Sequence, residues 1–277
     1  MSVSKSALWN SASRLATAEK WRARLAGRRN PVTDALLEYA DPRPGMRVID
    51  LACGLGEPAI PLAQRIGPKG SVTAVDQSME LLSVAAERAR EKGVRNVTTQ
   101  LADAHTLPFA DHYFDLATCR YGVMFFRDVQ RALTELRRVL KPDARACFVV
   151  WGPIEQPYWQ STVLLVQRHV GGDALEPGGD DPFRFAAPGS LAKVLRDSGF
   201  RDVEEVPRNL PWVWPGTGEE VFDYACAMSA PFRSMMERVS PEAWPAIRTE
   251  GAATIERYRV GDEIVFGADV ILASGKA

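Results

Sequence analysis

The chain has 277 residues, 46% of them hydrophobic and 25% charged, which suits one globular domain with additions, or two small ones. Its formal net charge of −1 argues against nucleic acid or an acidic membrane surface as a partner. The four cysteines, Cys53, Cys119, Cys147 and Cys226, have no CxxC pairing and no metal-ligand spacing. That predicts reduced thiols in a cytoplasmic protein without a metal, and no apolar run approaches the ~20 residues of a membrane span.

Residues 1–30 carry Lys5, Arg14, Lys20, Arg22, Arg24, Arg28 and Arg29 against one acid, Glu19. Such a segment suits a transit peptide. It equally suits a helical lid, because Leu8, Leu15, Ala18, Trp21 and Leu25 recur at roughly helical intervals. Trp9 and Trp21 favour the lid, since a discarded peptide has no use for large apolar groups. The expected organisation is a lid over 1–40, a cofactor-binding core over 41–152, and a remainder over 153–277 that completes the sheet and supplies the substrate pocket.

Pro31 marks a helix start, with Val32, Ala35, Leu36 and Tyr39 as its apolar face. The stretch Arg47–Gly56, RVIDLACGLG, then reads as a strand ending in Asp50, a glycine turn, and a helix from Glu57 onward. Gly54 and Gly56 permit positive φ and let a ligand lie against bare backbone. With Ala59 they also fit the looser dinucleotide pattern GxGxx(G/A), so the spacing alone leaves NAD open. Asp50 favours a different ligand. A pyrophosphate there meets an unpaired negative charge, whereas a ligand with an ammonium group gains a charge-assisted hydrogen bond.

Further along, SVTAVD (71–76) is a second strand closing on Asp76, and Ser78 caps a helix that Gly93 ends. Val97–Leu101 is a third strand, followed by Asp103, and Phe114–Cys119 is a fourth. A helix from Asp128 breaks at Lys141–Pro142–Asp143, and Ala144–Trp151 is a fifth strand. Strands alternating with helices imply a parallel sheet with right-handed crossovers. Beyond Trp151 the expected elements are a helix through Trp159, Val163, Val166 and Val170, a loop at 171–182 and a helix at Ser190–Ser198. An extended Val203–Trp214 follows. The chain then continues as a helix over Glu219–Val239 interrupted by Pro231, another from Ser240–Pro241, and a last strand at Glu263–Leu272.

Residues Met46–Trp151 resemble a class I S-adenosylmethionine-dependent methyltransferase, of the type 11 group that includes the ubiquinone and menaquinone C-methylating enzymes. The resemblance rests on DLACGLG, AVDQSMELL, LADAHTLPF, FDLATCRYGVMFF and ELRRVLKPDARACFVVW, in that order. It implies an α/β fold, a Rossmann-like doubly wound seven-stranded sheet, mostly parallel with an antiparallel last strand. It further implies that Asp50 lies near the methionine end of the cofactor and that Ala52, Gly54 and Gly56 present close backbone to it. Asp76 would accept from both ribose hydroxyls, followed by Gln77, with Met79 against the adenine. Asp103 and the Ala104 backbone would meet the adenine edge, and Arg120 the methionine moiety.

Methyl transfer from a sulfonium needs alignment and exclusion of water rather than an acid. Tyr121 and His105 are the candidates for a catalytic side chain if the acceptor must lose a proton. Trp9, Trp21, Tyr121, Phe125 and Trp151 are the expected pocket residues, and this aromatic content suggests a small apolar or aromatic acceptor. The alternatives are an NAD-dependent oxidoreductase and a non-catalytic adenosylmethionine-binding protein. The oligomeric state stays open, a homodimer included.

Overall fold

The computed structural model describes Trp21, Arg24, Arg28, Asn30 and residues 31–277. These residues form two compact units that interleave along the chain. A sheet unit takes 32–152, 182–208 and 270–277, and a helical unit takes 153–181 and 209–269 with the described residues up to Pro31. Most of the expected lid, Trp9 included, lies outside the described residues. The end of that segment, Pro31–Ala40, is helix α1.

In the sheet unit, β1 (Arg47–Leu51), β2 (Ser71–Asp76), β3 (Val97–Leu101), β4 (Phe114–Arg120) and β5 (Leu140–Trp151) are parallel neighbours in the order β3-β2-β1-β4-β5. Four residues of β1, from Val48 to Leu51, are buried in succession, as a parallel strand covered on both faces requires. Beyond β5 come β8 (Glu263–Lys276), antiparallel to β5, and then β6 (Arg201–Pro215). This is the expected insertion of an antiparallel last strand. Among the described residues the sheet has eight strands rather than seven, because Arg259–Val260 (β7) turns through Gly261 and Asp262 to pair with the start of β8. Gly261 supplies the positive φ, +59°, that such a two-residue hairpin uses.

Burial along β8 changes character partway. Glu263–Asp269 alternates buried with half-buried residues, whereas Val270–Gly275 is buried throughout. The first pattern is a strand covered on one face and the second a strand covered on both. The strand therefore extends beyond the expected Leu272, and its small residues Ala273, Ser274 and Gly275 lie opposite Phe148, Cys147 and Ala146. A Cβ on Gly275 would stand 2.8 Å from that of Phe200, so glycine there makes room for the ring. β6 is largely exposed and contains Pro207 and Pro211, as an edge strand tolerates.

The helices α2 (Ala59–Ile66), α3 (Met79–Glu91), α4 (Val129–Val139) and α7 (Ser190–Asp197) also belong to the sheet unit. In α4 the stripe Val129, Ala132, Leu133, Leu136 and Val139 is buried, and each buried leucine contributes roughly 1.5–3 kcal/mol. Asp128 caps it by accepting the Arg131 amide at 2.9 Å. Helix α2 begins at Ala59 rather than Glu57, because Gly56 and Glu57 form the turn that folds back on the Cys53 carbonyl. Strand β5 starts at Leu140 rather than Ala144. Lys141–Pro142–Asp143 ends α4 but continues as irregular strand, with a register shift between Phe114 and Leu116.

The helical unit holds α5 (Pro157–Ser161), α6 (Val163–Val170), α8 (Gly218–Met228), α9 (Arg233–Met236) and α10 (Trp244–Glu256). The single helix expected through Trp159 and Val170 is broken at Thr162, whose hydroxyl donates to the Tyr158 carbonyl at 2.7 Å. Such back-bonding bends helices. Thr217 and Glu220 form a reciprocal capping box at the start of α8. Helix α10 starts at Trp244 with Pro245 in its first turn, later than the expected Ser240–Pro241. Tyr158 stacks on Trp214 at 5.7 Å and touches Trp212 at 4.4 Å and Phe266 at 5.6 Å. Trp21 adds its edge to Trp214 at 5.3 Å and Tyr224 at 5.0 Å.

Candidate active site

The strand order reverses at β1, which has β2 on one side and β4 on the other. Ligands of open α/β sheets bind beyond the carboxyl ends of strands at such a point. Asp50, Asp76 and Arg120 all sit at the carboxyl ends of these strands.

Asp50 is fully buried. Thr118, its register partner on β4, donates its hydroxyl to Asp50 Oδ1 at 2.6 Å. The other oxygen, Oδ2, is buried without a hydrogen-bond partner. Burial lifts the carboxyl to about 7 despite the Thr118 hydroxyl, which pulls the other way. An under-satisfied buried carboxylate is costly, and a cationic ligand group would complement it. Thr118 went unnoticed in the sequence. Its only signal was a polar side chain in the otherwise apolar run Leu116–Cys119.

The turn after β1 is held by the acid that ends β2. Gly54 N–H donates to Asp76 Oδ2 at 2.9 Å, and Ser78 N–H donates to Oδ1 at 3.0 Å. Burial nonetheless raises the Asp76 pKa, these amides opposing it. Each oxygen keeps a further lone pair for a ligand hydroxyl. Gly54 has φ +52°, and a Cβ built there meets nothing within 4 Å, so the open space beside its backbone suits a ligand. Gly56 is different. Its Cβ would press on Ile60 at 3.0 Å and Ala85 at 3.3 Å, so its smallness serves helix packing. Ala52 also has a positive φ, +53°. Gly122 faces it, where a Cβ would stand 2.5 Å from that of Ala52 and 2.8 Å from Cys119 Sγ.

Gln77 is exposed and Met79, at the start of α3, is 54% exposed. Leu101, paired in register with Asp76, is 46% exposed. Exposed apolar side chains at a strand-end cradle offer a surface for a flat ligand. Asp103 lies just beyond. Partial burial raises its pKa, but the His105 amide and imidazole outweigh that and hold it below the usual carboxylate range. His105 bonds Asp103 through Nδ1, and its Nε2 accepts the Asp128 amide at 3.1 Å. The imidazole therefore carries its proton on Nδ1 with both nitrogens engaged, which leaves no free lone pair for a base. Ala104, half-buried, stands between these two residues. His112 Nδ1 meets the Leu140 carbonyl at 3.1 Å, and His169 Nε2 meets Glu250 at 2.7 Å.

Arg120 ends β4, and its Nε is buried without a partner. Glu57 faces Arg88 at 4.0 Å and Asp128 caps α4. The Arg120 guanidinium lies 4.8 Å from the centre of the Tyr121 ring. Tyr121 in turn stacks on Trp151, with centroids 4.2 Å apart and planes 14° from parallel. Its hydroxyl is buried without a partner, and burial holds the phenol well above its ordinary pKa. Burial thus disfavours the phenolate, the form in which Tyr121 could act as a base. Phe125 follows in a short 3-10 turn, Val123–Phe125, in the same unit. Trp21 belongs to the aromatic cluster of the helical unit.

Among the described residues, no group of His, Cys, Asp and Glu is arranged to hold a metal ion. No helix among them is long and apolar enough to cross a membrane.

The comparisons with known proteins agree with this fold. Nocamycin O-methyltransferase from Saccharothrix syringae is 29% identical over 89% of this chain and 90% of its own length. A ubiquinone/menaquinone biosynthesis C-methyltransferase from Cupriavidus metallidurans is 34% identical over 61% of this chain and 72% of its own. The crystal structure of YcgJ from Bacillus subtilis covers 88% of the chain and 97% of its own at 25% identity, with a TM-score of 0.56. The model of the ubiE/COQ5 methyltransferase family matches residues 26–166. The chain belongs to that family, and is a methyltransferase that uses S-adenosylmethionine.

Proposed function

We propose that the enzyme methylates a small, planar, largely apolar molecule. The observation that carries this is the Tyr121–Trp151 stack beside Arg120, at the carboxyl ends of β4 and β5. Two aromatic rings at these strand ends suit a planar, apolar acceptor, and the relatives' names point the same way, to nocamycin and to quinones. A basic stripe fit for a polymer is not evident in the sequence beyond residue 30.

The residues of the cradle fit S-adenosylmethionine. In this reading Asp50 Oδ2 receives the ammonium of its methionine end and Asp76 accepts its ribose hydroxyls. Gly54, beside Ala52, leaves room for it at the turn. Met79 lies on the adenine, with Gln77 nearby and Asp103 and the Ala104 backbone at its edge. The bound cofactor supplies a methyl group on a sulfonium whose sulfur leaves neutral, so no side chain need donate a proton. The chain's task is to hold the acceptor in line and keep water out.

The N-terminal segment, residues 1–40, is retained in this reading as a lid rather than removed. Support comes from Trp21, which is 4% exposed, from Arg24, paired with Glu220 at 2.6 Å, and from Arg28, paired with Glu263. The reduced thiols fit a cytoplasmic location.

The test is to incubate the purified enzyme with methyl-labelled adenosylmethionine and a panel of quinols, phenols and polyketides, with a protein extract and RNA as controls. Label in a small planar compound supports the reading, and label only in protein or RNA overturns it. Deleting residues 1–29 should cut that transfer far more than thermal stability. Equal activity without the segment removes the lid.

A further inference from the structure

Resting on the reading that Asp50 receives the ammonium of S-adenosylmethionine, we propose that Thr118 is a positioning residue for that cofactor. Its hydroxyl fixes the Asp50 carboxylate with Oδ2 toward the ammonium, and so sets the lowest pH at which the methionine end is held.

The two side chains meet because β1 and β4 are parallel neighbours in a register that pairs Asp50 with Thr118. Both are buried, Asp50 at 0% and Thr118 at 1% exposure. The hydroxyl donates to Oδ1 at 2.6 Å. Valine has nearly the shape of threonine and suits a buried parallel strand, as the apolar neighbours Leu116, Ala117 and Cys119 do. A hydroxyl at this depth needs a polar partner, and Asp50 Oδ1 is that partner. With Oδ1 engaged, the orientation of the carboxylate is fixed. Oδ2 is the oxygen left over, buried and without a hydrogen bond.

The same bond acts on charge. A hydroxyl that donates to a carboxylate favours its ionised form. Asp50 depends on such help, because burial pushes its carboxyl up to about 7. Glu57, in the turn before α2, pushes the same way, whereas the Ala59 amide and Arg120, at the end of β4, oppose it. The Cys53 and Cys119 thiols feel the charges of Asp50 and of Asp76 on β2, but burial holds both far above the ordinary thiol range, so they stay neutral. Without the Thr118 hydroxyl the balance moves toward the neutral acid, which offers an ammonium no charge. Asp76 lies on β2, outside this pair, so the ribose end of the ligand does not depend on Thr118.

The test titrates two ligands into the parent, Thr118→Val and Thr118→Ser by calorimetry at pH 6, 7 and 8. One is adenosylhomocysteine; the other is 5′-methylthioadenosine, which lacks the ammonium. Parent affinity for adenosylhomocysteine should rise with pH and level off above about 7. Thr118→Val should level off about one pH unit higher, so that it binds about tenfold more weakly than the parent at pH 6 but only about twofold more weakly at pH 8. Thr118→Ser, which restores the hydroxyl, should follow the parent. Affinity for 5′-methylthioadenosine should be the same in all three proteins, which also confirms that the variants fold. A Thr118→Val curve that superimposes on the parent's overturns the proposal. A loss that is equal at every pH, or shared by 5′-methylthioadenosine, marks a merely structural role and overturns it too. A parent whose adenosylhomocysteine affinity ignores pH, and which Asp50→Asn matches, strikes at the Asp50 reading itself, and the proposal falls with it.

Discussion

The Asp76 carboxylate accepts the Gly54 amide at 2.9 Å, which ties the end of β2 to the turn that follows β1. One acid thus shapes the glycine turn and faces the ligand. Asp76→Ala removes the acceptor for Gly54 and Ser78 as well as for the ribose. Hydrogen bonds to a charged group contribute roughly 1.5–3 kcal/mol each, so adenosylhomocysteine affinity should fall at least about tenfold. The melting temperature should also drop by several degrees. Calorimetry and thermal melts check both, and unchanged affinity in a folded variant removes Asp76 from the site.

Asp50 predicts a pH dependence. Burial pushes its carboxyl up to about 7, from an ordinary 3.8 in the unfolded chain. Between those values the folded state holds a proton that the unfolded chain has released. The contribution of this group to stability is therefore fully present below about pH 4, falls as pH rises toward 7, and levels off above, with a slope of at most about 1.4 kcal/mol per pH unit. Asp50→Asn should abolish that component in denaturant titrations. Adenosylhomocysteine should bind more tightly at pH 8 than at pH 6, because its ammonium needs the ionised carboxylate. Affinity independent of pH over that range would place the ammonium elsewhere.

Ala52 and Gly122 should behave as a coupled pair. Gly122→Ala drives a Cβ to 2.5 Å from Ala52, and overpacking of this kind costs about 1–3 kcal/mol. Ala52→Gly removes the obstructing methyl and relieves its left-handed backbone. The double variant should recover part of the loss, although Cys119 Sγ at 2.8 Å still crowds the position. Strict additivity in a double-mutant cycle contradicts the pairing.

Gly54 separates the cradle from the scaffold. Alanine there meets open space but an unfavourable φ of +52°, a cost of roughly 1–2 kcal/mol. Gly54→Ala should fold and lose adenosylhomocysteine binding. Affinity within twofold of the parent would mean that the ligand does not approach this turn.

Much of this was legible before the structure. The two strands closing on Asp50 and Asp76 declare themselves by β-prone runs ending in acids, and the helix through Leu133 and Leu136 by its 3.6-residue period. The break at Thr162 was not legible, since Trp159, Val163, Val166 and Val170 hold one helical period across it. The two-residue strand at Arg259 carried too little pattern to register. In the site, Asp50 was visible, but its dependence on Thr118 was not, because the two lie 68 residues apart and meet only through β1–β4 register. His105 reads as a catalytic candidate in the sequence, and only the fold shows both its nitrogens engaged.

The cradle between β1 and β2 should hold adenosylmethionine. Calorimetric titration of the purified parent and Asp76→Ala with adenosylhomocysteine, and of the parent with NAD, tests it most directly. The parent should bind adenosylhomocysteine saturably, the variant at least about tenfold more weakly, and neither protein's cradle should bind NAD. Saturable NAD binding with no heat from adenosylhomocysteine would contradict it.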